Sequence, residues 1–599
     1  MTGLTGGTVA SDTLRRMASS LDHEPWYESE RFEDGSYGLA GQHHGSRDPT
    51  GHTFWTDGRR AGAIDGAITN RHELGWSDAE VFERLLRAPE RTLRTLEGPF
   101  VVACLDAADD RLLLSMDKIG CRPCFYATAD DAATNGIVFG SELKPIMAAI
   151  DDPTVDEQGI SDLVLMGTLW SDTTLLEGVR ALHPATVLEY RDGEVTTSRY
   201  WKPDYDRAEA TEQYFFELVD QFRHMMDRVG RSMTGDVGLW LSGGLDSRAT
   251  MNELARCHRT TDSFDSLVAF TYDANPSGGG NPELAQQVAD TLETPIEHVP
   301  LTPDRFLDVM EKGVDVLDGQ VRWSTFLNLS AVFNIEQYDA DVIMEGLEGA
   351  LVGHHLCRHH FTDADSLVDS MYRSEASLST DDVGELLNVD ADPLGSFRKE
   401  ARRIDEDSFA GGVVDAHFQN YYSRVAHASN HLSRSQVGTR VTYADGDFLS
   451  HVARLPLSYR MGALPFSDGE LIHGVVKPKL RMIRALNDDL ANIRYERSSL
   501  KPKHPFPAHV AGFYGSTALA QLRSQTTYGG TSMPGKWYRE HDGLQAAVDE
   551  LIDDACDRSL FDADALRERQ RRHLQGEADE INAISSITTA ELWLQRHLD

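Results

Sequence analysis

The sequence contains no long hydrophobic run. A membrane-spanning helix needs about 18 to 20 mostly apolar residues, and no uncharged apolar stretch approaches that length. The N-terminal segment also lacks the apolar core that a secretory signal peptide requires. These absences argue against a helical membrane protein and lead us to expect a cytoplasmic protein with no membrane partner.

Positive charge is scarce. Lys and Arg number 57 against 96 Asp and Glu, which gives a formal net charge of −39 at pH 7. Because nucleic-acid phosphates are neutralised by clustered basic side chains, this balance argues against a nucleic-acid partner. Only ten of the basic residues are lysines, and the acidic residues are spread along the chain. The pattern favours a halophilic type of surface that stays hydrated in high salt, with an ordinary acidic enzyme as the alternative.

Cysteine is also rare, with six residues spread between positions 104 and 556. This spacing does not resemble a disulfide framework, and it fits a reducing compartment. Cys121 and Cys124 have the C-x-x-C spacing of some metal and redox sites. We interpret them as two buried small hydrophobic residues.

Length and pattern divide the chain into parts of different class. At 599 residues the chain exceeds one hydrophobic core. Residues 1–203 contain short apolar runs and turn signals that predict antiparallel hairpins. One hairpin is predicted from Pro99–Asp106 and Arg111–Met116, and another from Val187–Tyr190 and Glu194–Ser198.

The next part alternates helical and strand-like segments. The periodicity predicts helices over Glu212–Met233 and Ala249–Cys257, and buried strands over Val237–Leu241, Leu267–Tyr272 and Asp341–Met344. Such alternation is typical of a parallel sheet with crossover helices. The last 60 residues, from about 540, have the pattern of charged helix.

A glycine turn lies within residues 239–248, between an apolar strand and a helix. Because Gly243 and Gly244 carry no side chains, their backbone N–H groups can approach phosphate oxygens at the positive end of that helix. Ser242 and Ser247 add hydroxyl donors. The turn therefore predicts a phosphate-binding loop, although no Walker A motif is present.

Asp246 within this turn indicates a divalent cation. A carboxylate beside phosphates is repelled unless a cation lies between them, so its presence predicts Mg²⁺. The complete S-G-G-x-D-S pattern resembles the pyrophosphate loop of ATP pyrophosphatases, which release pyrophosphate and leave AMP on the substrate. A glycine turn without a ligand is the alternative.

Further segments resemble asparagine synthetases, in the order in which that family carries them. The segments are Leu96–Val102, Asp117–Tyr126, Phe139–Lys144, Arg199–Trp201, Ala269–Thr271, Pro282–Ala285, Glu345–Gly349 and Tyr443–Pro456. The resemblance covers most of residues 1–510. It implies an α+β N-terminal sandwich of the Ntn-hydrolase kind, an α/β domain with a parallel sheet of the ATP-pyrophosphatase type, and a helical C-terminal region.

The domains implied are a class II glutamine amidotransferase-like domain over residues 1–203, a synthetase domain over 204–520 and a helical extension over 521–599. The ATP-binding positions implied are Leu241, Ser242, Gly243, Gly244, Asp246, Ser247, Phe270, Thr271 and Gly346. Glu348 would give the metal a second carboxylate beside that of Asp246, unless it is an exposed loop glutamate. Gly349 replaces a second acid of the family.

A cation is also needed to balance charge on the α-phosphate. The candidates are Lys479, Arg481, Arg497, Lys501 and Lys503, and we favour Lys501. Each of them could instead be a surface cation.

The N-terminal part departs from the family at its reactive positions. Thr2 stands where the family has its nucleophilic Cys, and a hydroxyl is much less nucleophilic than a thiolate. His44, Asp65 and Glu97 replace family residues that hold glutamine, and an arginine that would pair with the glutamine carboxylate is missing from its place. These changes favour a domain that keeps its fold but has lost glutamine hydrolysis, over a Thr-dependent hydrolase.

The resemblance implies that the protein makes amide bonds through an acyl-adenylate. The first hypothesis is asparagine synthesis, in which aspartate, ATP and ammonia or glutamine give asparagine, AMP and pyrophosphate. The second is a ligase or cyclase of the β-lactam synthetase or lasso-peptide cyclase kind, acting on another carboxylate. The third is a nucleotide-binding partner without turnover. The amine donor and the oligomeric state stay open, with a homodimer as one option.

Overall fold

A computed structural model describes residues 2–599 apart from 133, 135, 206–207, 274–280, 336–339, 346–351, 354–363, 461, 463, 465–470 and 523–532. We use "N-terminal part" for residues 1–203 and "C-terminal part" for residues 204–599. None of the described helices combines the length and apolarity needed to cross a bilayer.

The described strands form three sheets. In chain order they are β1 Gly3–Thr8, β2 Glu28–Asp34, β3 Tyr37–His43, β4 His52–Thr56, β5 Arg60–Gly66, β6 Phe100–Asp106, β7 Arg111–Met116, β8 Phe125–Thr128, β9 Ile137–Gly140, β10 Arg180–Ala181, β11 Thr186–Arg191, β12 Glu194–Arg199, β13 Asp236–Trp240, β14 Ser266–Thr271, β15 Ile296–His298, β16 Val342–Glu345 and β17 Gly438–Val441.

The N-terminal part is a sandwich of two antiparallel sheets. Their strand orders are β10-β8-β9-β1-β3-β2 and β12-β11-β7-β6-β5-β4. Apolar side chains of both sheets, among them Leu39 and Leu114, meet in one buried cluster, as expected for strands that alternate inward and outward residues. Both predicted hairpins are confirmed, because β6 pairs with β7 and β11 with β12.

The C-terminal part contains the predicted parallel sheet, in the order β15-β14-β13-β16-β17. Every pairing in it is parallel. Strand β13 is central, so it is flanked on both sides and its apolar residues are buried. Strands β14 and β16 also confirm the predicted strands near residues 267 and 341.

Helices surround these sheets. In chain order they are α1 Ser11–Ser19, α2 Arg71–Leu74, α3 Asp78–Arg87, α4 Pro89–Thr95, α5 Leu143–Met147, α6 Glu157–Met166, α7 Glu212–Arg231, α8 Leu245–Thr260, α9 Asn281–Thr291, α10 Pro303–Val316, α11 Trp323–Phe326, α12 Leu367–Glu375, α13 Thr380–Leu386, α14 Gly395–Arg403, α15 Phe409–Gln419, α16 Ala428–Arg434, α17 Gly446–Ala453, α18 Leu457–Arg460, α19 Lys477–Leu486, α20 Phe506–Leu522, α21 Met533–Glu540, α22 Asp542–Asp557, α23 Ala563–Leu574 and α24 Ile581–His597.

The last helices confirm the predicted helical C-terminal region, and they pack into the core. Helix α24 buries most of its residues. Its Thr588 and Thr589 hydroxyls accept hydrogen bonds from the indole and the backbone N–H of Trp323, both at 2.9 Å. The charges of this region lie mainly on α22 and α23, which leaves α24 free to pack against α6, α10 and α11.

Candidate functional site

The predicted phosphate loop connects β13 to α8 at the carboxyl edge of the parallel sheet. Gly243 has φ = 74°, a left-handed conformation that favours glycine. The Ser242 hydroxyl lies 3.1 Å from the Ser247 hydroxyl, and the backbone N–H of Gly244 donates to Ser242 Oγ at 3.3 Å. Helix α8 begins at Leu245, so its positive end faces the loop.

This loop fits the phosphates of a nucleotide. The amides of Gly243 and Gly244 lie at the start of a 16-residue helix, where backbone N–H groups have no partner within the helix. A Cβ atom at position 244 would come within 3.2 Å of Ser242 Oγ. A side chain there would therefore crowd the turn that brings these donors together.

Asp246 is paired with a cation that the sequence offered only as one of five candidates. Lys479 Nζ, on α19, lies 2.5 Å from Asp246 Oδ2. The Asp246 side chain is 30% exposed, so its carboxylate remains accessible from the loop. Lys501, which the sequence favoured, is an exposed residue outside this pair. Its role stays a prediction that no observed contact supports.

Arg248 fixes a distant segment against the phosphate loop. It is fully buried, and its guanidinium donates to the carbonyl of Gly243 at 2.9 Å and to that of Arg494 at 3.1 Å. It also donates to the carbonyls of Leu490 and Ile493. Burial lowers the pKa of Arg248 to about 10, so the group stays charged at neutral pH. Sequence reasoning missed this residue because its partners Leu490, Ile493 and Arg494 lie more than 240 positions away.

The segment that Arg248 anchors carries a second carboxylate, on Glu496. Burial raises the pKa of Glu496, and the charges of Arg497, Arg248, Asp246 and Lys479 act on it. Its carboxylate lies 3.8 Å from the position that a Cβ of Gly244 would take. Nothing in the local sequence signals this placement, since only the fold brings residue 496 to the loop.

Two of the strand residues predicted to bind ATP already use their carbonyls in the sheet. The Phe270 carbonyl accepts from Leu241 N–H at 2.7 Å, and the Thr271 carbonyl accepts from Val299 N–H at 2.8 Å. Their part in adenine binding stays a prediction. Gly346 and Glu348 lie outside the described residues.

Thr2 lies in the N-terminal sandwich and is only 3% exposed. Its hydroxyl donates to Asp65 Oδ1 at 2.9 Å. Its carbonyl accepts from the guanidinium of Arg434, a residue of the C-terminal part, at 2.8 Å. Both the hydroxyl and the carbonyl of Thr2, the predicted nucleophile position, therefore have hydrogen-bond partners.

The other altered positions of this pocket also contact the C-terminal part. His44 Nε2 lies 3.0 Å from the Arg434 carbonyl, and Asp65 Oδ2 lies 3.6 Å from the Arg434 guanidinium. Glu97 accepts from the backbone N–H of Gly446 at 2.5 Å and pairs with Lys118 at 2.8 Å. All four residues that depart from the expected glutamine site thus lie at the contact between the two parts.

Cys121 and Cys124 are both buried, and neither belongs to a disulfide among the described residues. Burial raises the pKa of the Cys124 thiol to about 12, which keeps it protonated. Their interpretation as small hydrophobic residues is in agreement with this burial.

Two protein-family profiles match the chain. The glutamine amidotransferase domain family matches residues 67–201, and the asparagine synthase family matches residues 223–509. The second match contains the phosphate loop, Lys479 and Glu496.

Together, the two matches support an asparagine synthetase family protein. Its match to the amidotransferase domain begins after Thr2, His44 and Asp65, so three of the four altered positions lie outside the matched segment.

Curated members of the asparagine synthetase family align with parts of the chain. Asparagine synthetase [glutamine-hydrolyzing] 1 of Bacillus subtilis is 26% identical over 245 residues, which are 40% of this chain and 36% of that protein. Asparagine synthetase [glutamine-hydrolyzing] 3 of the same organism is 29% identical over 203 residues, 33% of this chain and 32% of that protein. The chain therefore spans about a third of the length of these relatives.

A longer alignment joins the chain to the amidase chry2 of Gibberella zeae. It is 22% identical over 464 residues, covering 74% of this chain and 60% of that protein. Relatives that are named as a synthetase and as an amidase thus both align with this chain.

Proposed function

We propose that the protein is an ATP-dependent amide ligase that activates a carboxylate as an acyl-adenylate. The observation that carries this proposal is the phosphate loop at the carboxyl edge of β13, where Asp246 and Lys479 lie side by side. Ligands of open parallel sheets bind outside this edge. The glycine turn therefore lies beside a carboxylate that is paired with a lysine.

The reaction has two balanced steps. An oxygen of the substrate carboxylate attacks the α-phosphorus of ATP, a P–O bond forms, and the bond to the pyrophosphate oxygen breaks. The nitrogen of an amine then attacks the activated carbonyl carbon, AMP leaves with the bridging oxygen, and the amine releases a proton. Holding both reactants in one site removes much of the entropic barrier, which can be worth several kcal/mol.

The residues of the loop have distinct parts in this reaction. The amides of Gly243 and Gly244, with the Ser242 and Ser247 hydroxyls, orient the phosphates. Asp246 would hold Mg²⁺, which when bound neutralises charge on the departing pyrophosphate. Lys479, which is 12% exposed, is placed to shift from Asp246 to the phosphates and to stabilise their negative charge.

Two classes of carboxylate substrate are candidates for this reaction. Aspartate with ammonia is the first candidate, because two of the relatives that align with the chain are named asparagine synthetases. A ligase or cyclase acting on another carboxylate is the second, and the engaged Thr2 favours it because no ammonia source is then needed.

An ATP–pyrophosphate exchange assay across a panel of carboxylic acids tests the proposal. We expect exchange with at least one acid, and Asp246→Asn is expected to abolish it. Asp220→Asn, a neutralisation of an exposed residue on α7, serves as the control. Exchange that needs aspartate selects asparagine synthesis. Exchange that survives in the Asp246→Asn protein would refute the assigned site, and silence with every acid would favour a nucleotide-binding partner without turnover.

A further inference from the structure

Three arginines lie buried where the N-terminal and C-terminal parts meet. Arg122 comes from the N-terminal part, whereas Arg434 ends α16 and Arg440 lies on β17 of the C-terminal part. None is more than 2% exposed. We call these residues the arginine cluster. Arg122 and Arg434 line the pocket that contains Thr2, and Arg440 pairs with Asp48, which lines the pocket as well.

Arg440 is paired through both terminal nitrogens, and only its Nε lacks a hydrogen-bond partner among the described residues. Its guanidinium donates to both carboxylate oxygens of Asp48, at 2.8 and 2.9 Å. It also donates to the hydroxyl of Thr50 and the carbonyl of Ser232. This geometry is the two-point pairing that arginine makes best with a carboxylate.

Arg122 and Arg434 are only partly paired. Arg122 donates through Nη2 to the hydroxyl and carbonyl of Thr439, and Arg434 donates through Nη2 to the carbonyl of Thr2. In each guanidinium, Nε and Nη1 are buried and have no hydrogen-bond partner among the described residues. Buried donors without partners are costly, and charged ones more so.

The charges of the cluster do not balance. Although burial opposes ionisation, Arg440 holds the pKa of Asp48 below its ordinary value, and Arg434 and Arg122 do the same for Asp65. Burial and the charge of Arg434 lower the pKa of Arg122 to about 9, so it is still protonated at neutral pH. Three guanidinium groups face two carboxylates, which leaves one positive charge.

The neighbouring histidine does not change this balance. Burial lowers the pKa of His44 to about 3, so the imidazole is neutral at pH 7. Its Nε2 faces the Arg434 carbonyl and therefore carries the proton. An uncompensated charge inside a protein costs several kcal/mol. A counter-charge within reach of Arg122 and Arg434 would remove that cost.

A small cavity opens onto both arginines. Thr2, His44, Gly51, Arg122 and Arg434 are among its lining residues, and its volume is about 10 Å³. This is room for about one water-sized particle. Glutamine, with ten heavy atoms, does not fit this space, and neither does a nucleotide.

We propose that this cavity binds one small monovalent anion, chloride, held between the guanidinium groups of Arg122 and Arg434. The anion accepts the N–H groups that lack partners and cancels the remaining charge. A neutral water could accept hydrogen bonds there but would leave the charge uncompensated. Because the two arginines belong to different parts of the chain, chloride is a bridge that stabilises their contact.

Thermal unfolding of the full chain in chloride and gluconate tests the site. The ionic strength must be held constant, because screening alone stabilises a chain with a net charge of −39. We expect a saturable rise of the midpoint with chloride, as linkage requires for a ligand that binds the folded state. Arg122→Gln and Arg434→Gln are expected to abolish this chloride-specific part.

Arg228→Gln is the matched control. Arg228 is also buried between the two parts, but it pairs with Glu73, Asp445 and Asp447, so its charge is compensated. Its replacement is expected to destabilise the protein and leave the chloride-specific rise intact. Equal loss in the Arg228→Gln protein would contradict the assignment to the arginine cluster.

Bromide, used in crystals of the unmodified protein, gives a readout that does not depend on folding of the variants. An anomalous peak between Arg122 and Arg434 is the expected result. No peak, together with equal midpoints in chloride and gluconate, would overturn the proposal. Stabilisation by L-glutamine in place of chloride would overturn it as well, since the pocket would then accept the substrate of the ancestral reaction.

Discussion

The phosphate loop and the Thr2 pocket differ in what surrounds their reactive groups. At the phosphate loop, the Asp246 carboxylate is 30% exposed and pairs with Lys479. In the Thr2 pocket, the hydroxyl is buried and bonded, and arginines of the other part fill the space around it. One site is open to a substrate, whereas the other is built into the contact between the parts.

The substituted positions account for this difference. Thr2, His44, Asp65 and Glu97 each depart from the expected glutamine site, and each contacts the C-terminal part. A pocket that binds a small molecule needs space for it, whereas the cavity beside Thr2 has a volume of only about 10 Å³. These positions take part in the contact between the two parts.

The largest effect is expected from breaking the buried pair behind the Thr2 pocket. Arg440→Gln leaves Asp48 charged and unpaired at full burial, which should cost about 3–5 kcal/mol of stability. Arg60→Gln breaks the half-exposed pair with Asp57 and should cost less than about 1 kcal/mol. Urea unfolding midpoints measure both. Equal losses of stability in the two variants would show that the Arg440–Asp48 pair does not hold the contact between the two parts.

The next effect concerns the open site. Lys479→Gln should slow ATP–pyrophosphate exchange about 100-fold, because a positive group at the phosphates is lost, while leaving the unfolding midpoint nearly unchanged. Lys501→Gln should change the rate much less, and Lys536→Gln, at an exposed lysine, serves as the control. A larger loss of exchange rate in the Lys501→Gln protein than in the Lys479→Gln protein would show that Lys501, the residue favoured by the sequence, is the cation at the phosphates.

A pH dependence should separate the two sites further. The pKa of His44 is lowered to about 3 by burial, against an ordinary value of 6.5. Between these values the unfolded chain binds more protons, so stability falls as pH decreases below about 6.5. His44→Gln should remove up to about 1.4 kcal/mol per pH unit of this slope. Unfolding midpoints between pH 7 and 5 test this, and an unchanged slope would contradict it.

The smallest effect is expected at Thr2 itself. Thr2→Ala removes one hydrogen bond to Asp65 and should cost about 1 kcal/mol of stability. Thr2→Ser keeps the hydroxyl and is the control. Ligase activity with ammonia should be unaffected in both. If the unmodified protein hydrolyses glutamine and the Thr2→Ala protein does not, the hypothesis of a Thr-dependent hydrolase would be favoured.

The fold was predictable wherever local pattern decides it. The hairpins of β6–β7 and β11–β12 follow from alternating apolar residues and turns, and the glycine turn at 243–244 shows itself within six residues. The pairing of Asp246 with Lys479, by contrast, joins positions 233 residues apart. Arg248 and Glu496 escaped prediction for the same reason.

Burial near the C-terminus depends on packing. The sequence predicts charged helix there, and the structure adds that α24 is buried because its small and apolar residues face α11 and α6. In the Thr2 pocket, the sequence indicated which residues depart from the family, but not that Arg434 contacts Thr2 or that Arg440 pairs with Asp48. Those residues carry no motif, and only the tertiary contact gives them a role.

Calorimetric titration of the unmodified protein with ATP–Mg²⁺ and, separately, with L-glutamine tests the central claim most directly, because it needs no knowledge of the carboxylate substrate. The phosphate loop is accessible, whereas the Thr2 pocket has almost no free space. We therefore expect about one nucleotide to bind per chain and glutamine not to bind. Absence of nucleotide binding, or saturable glutamine binding, would contradict it.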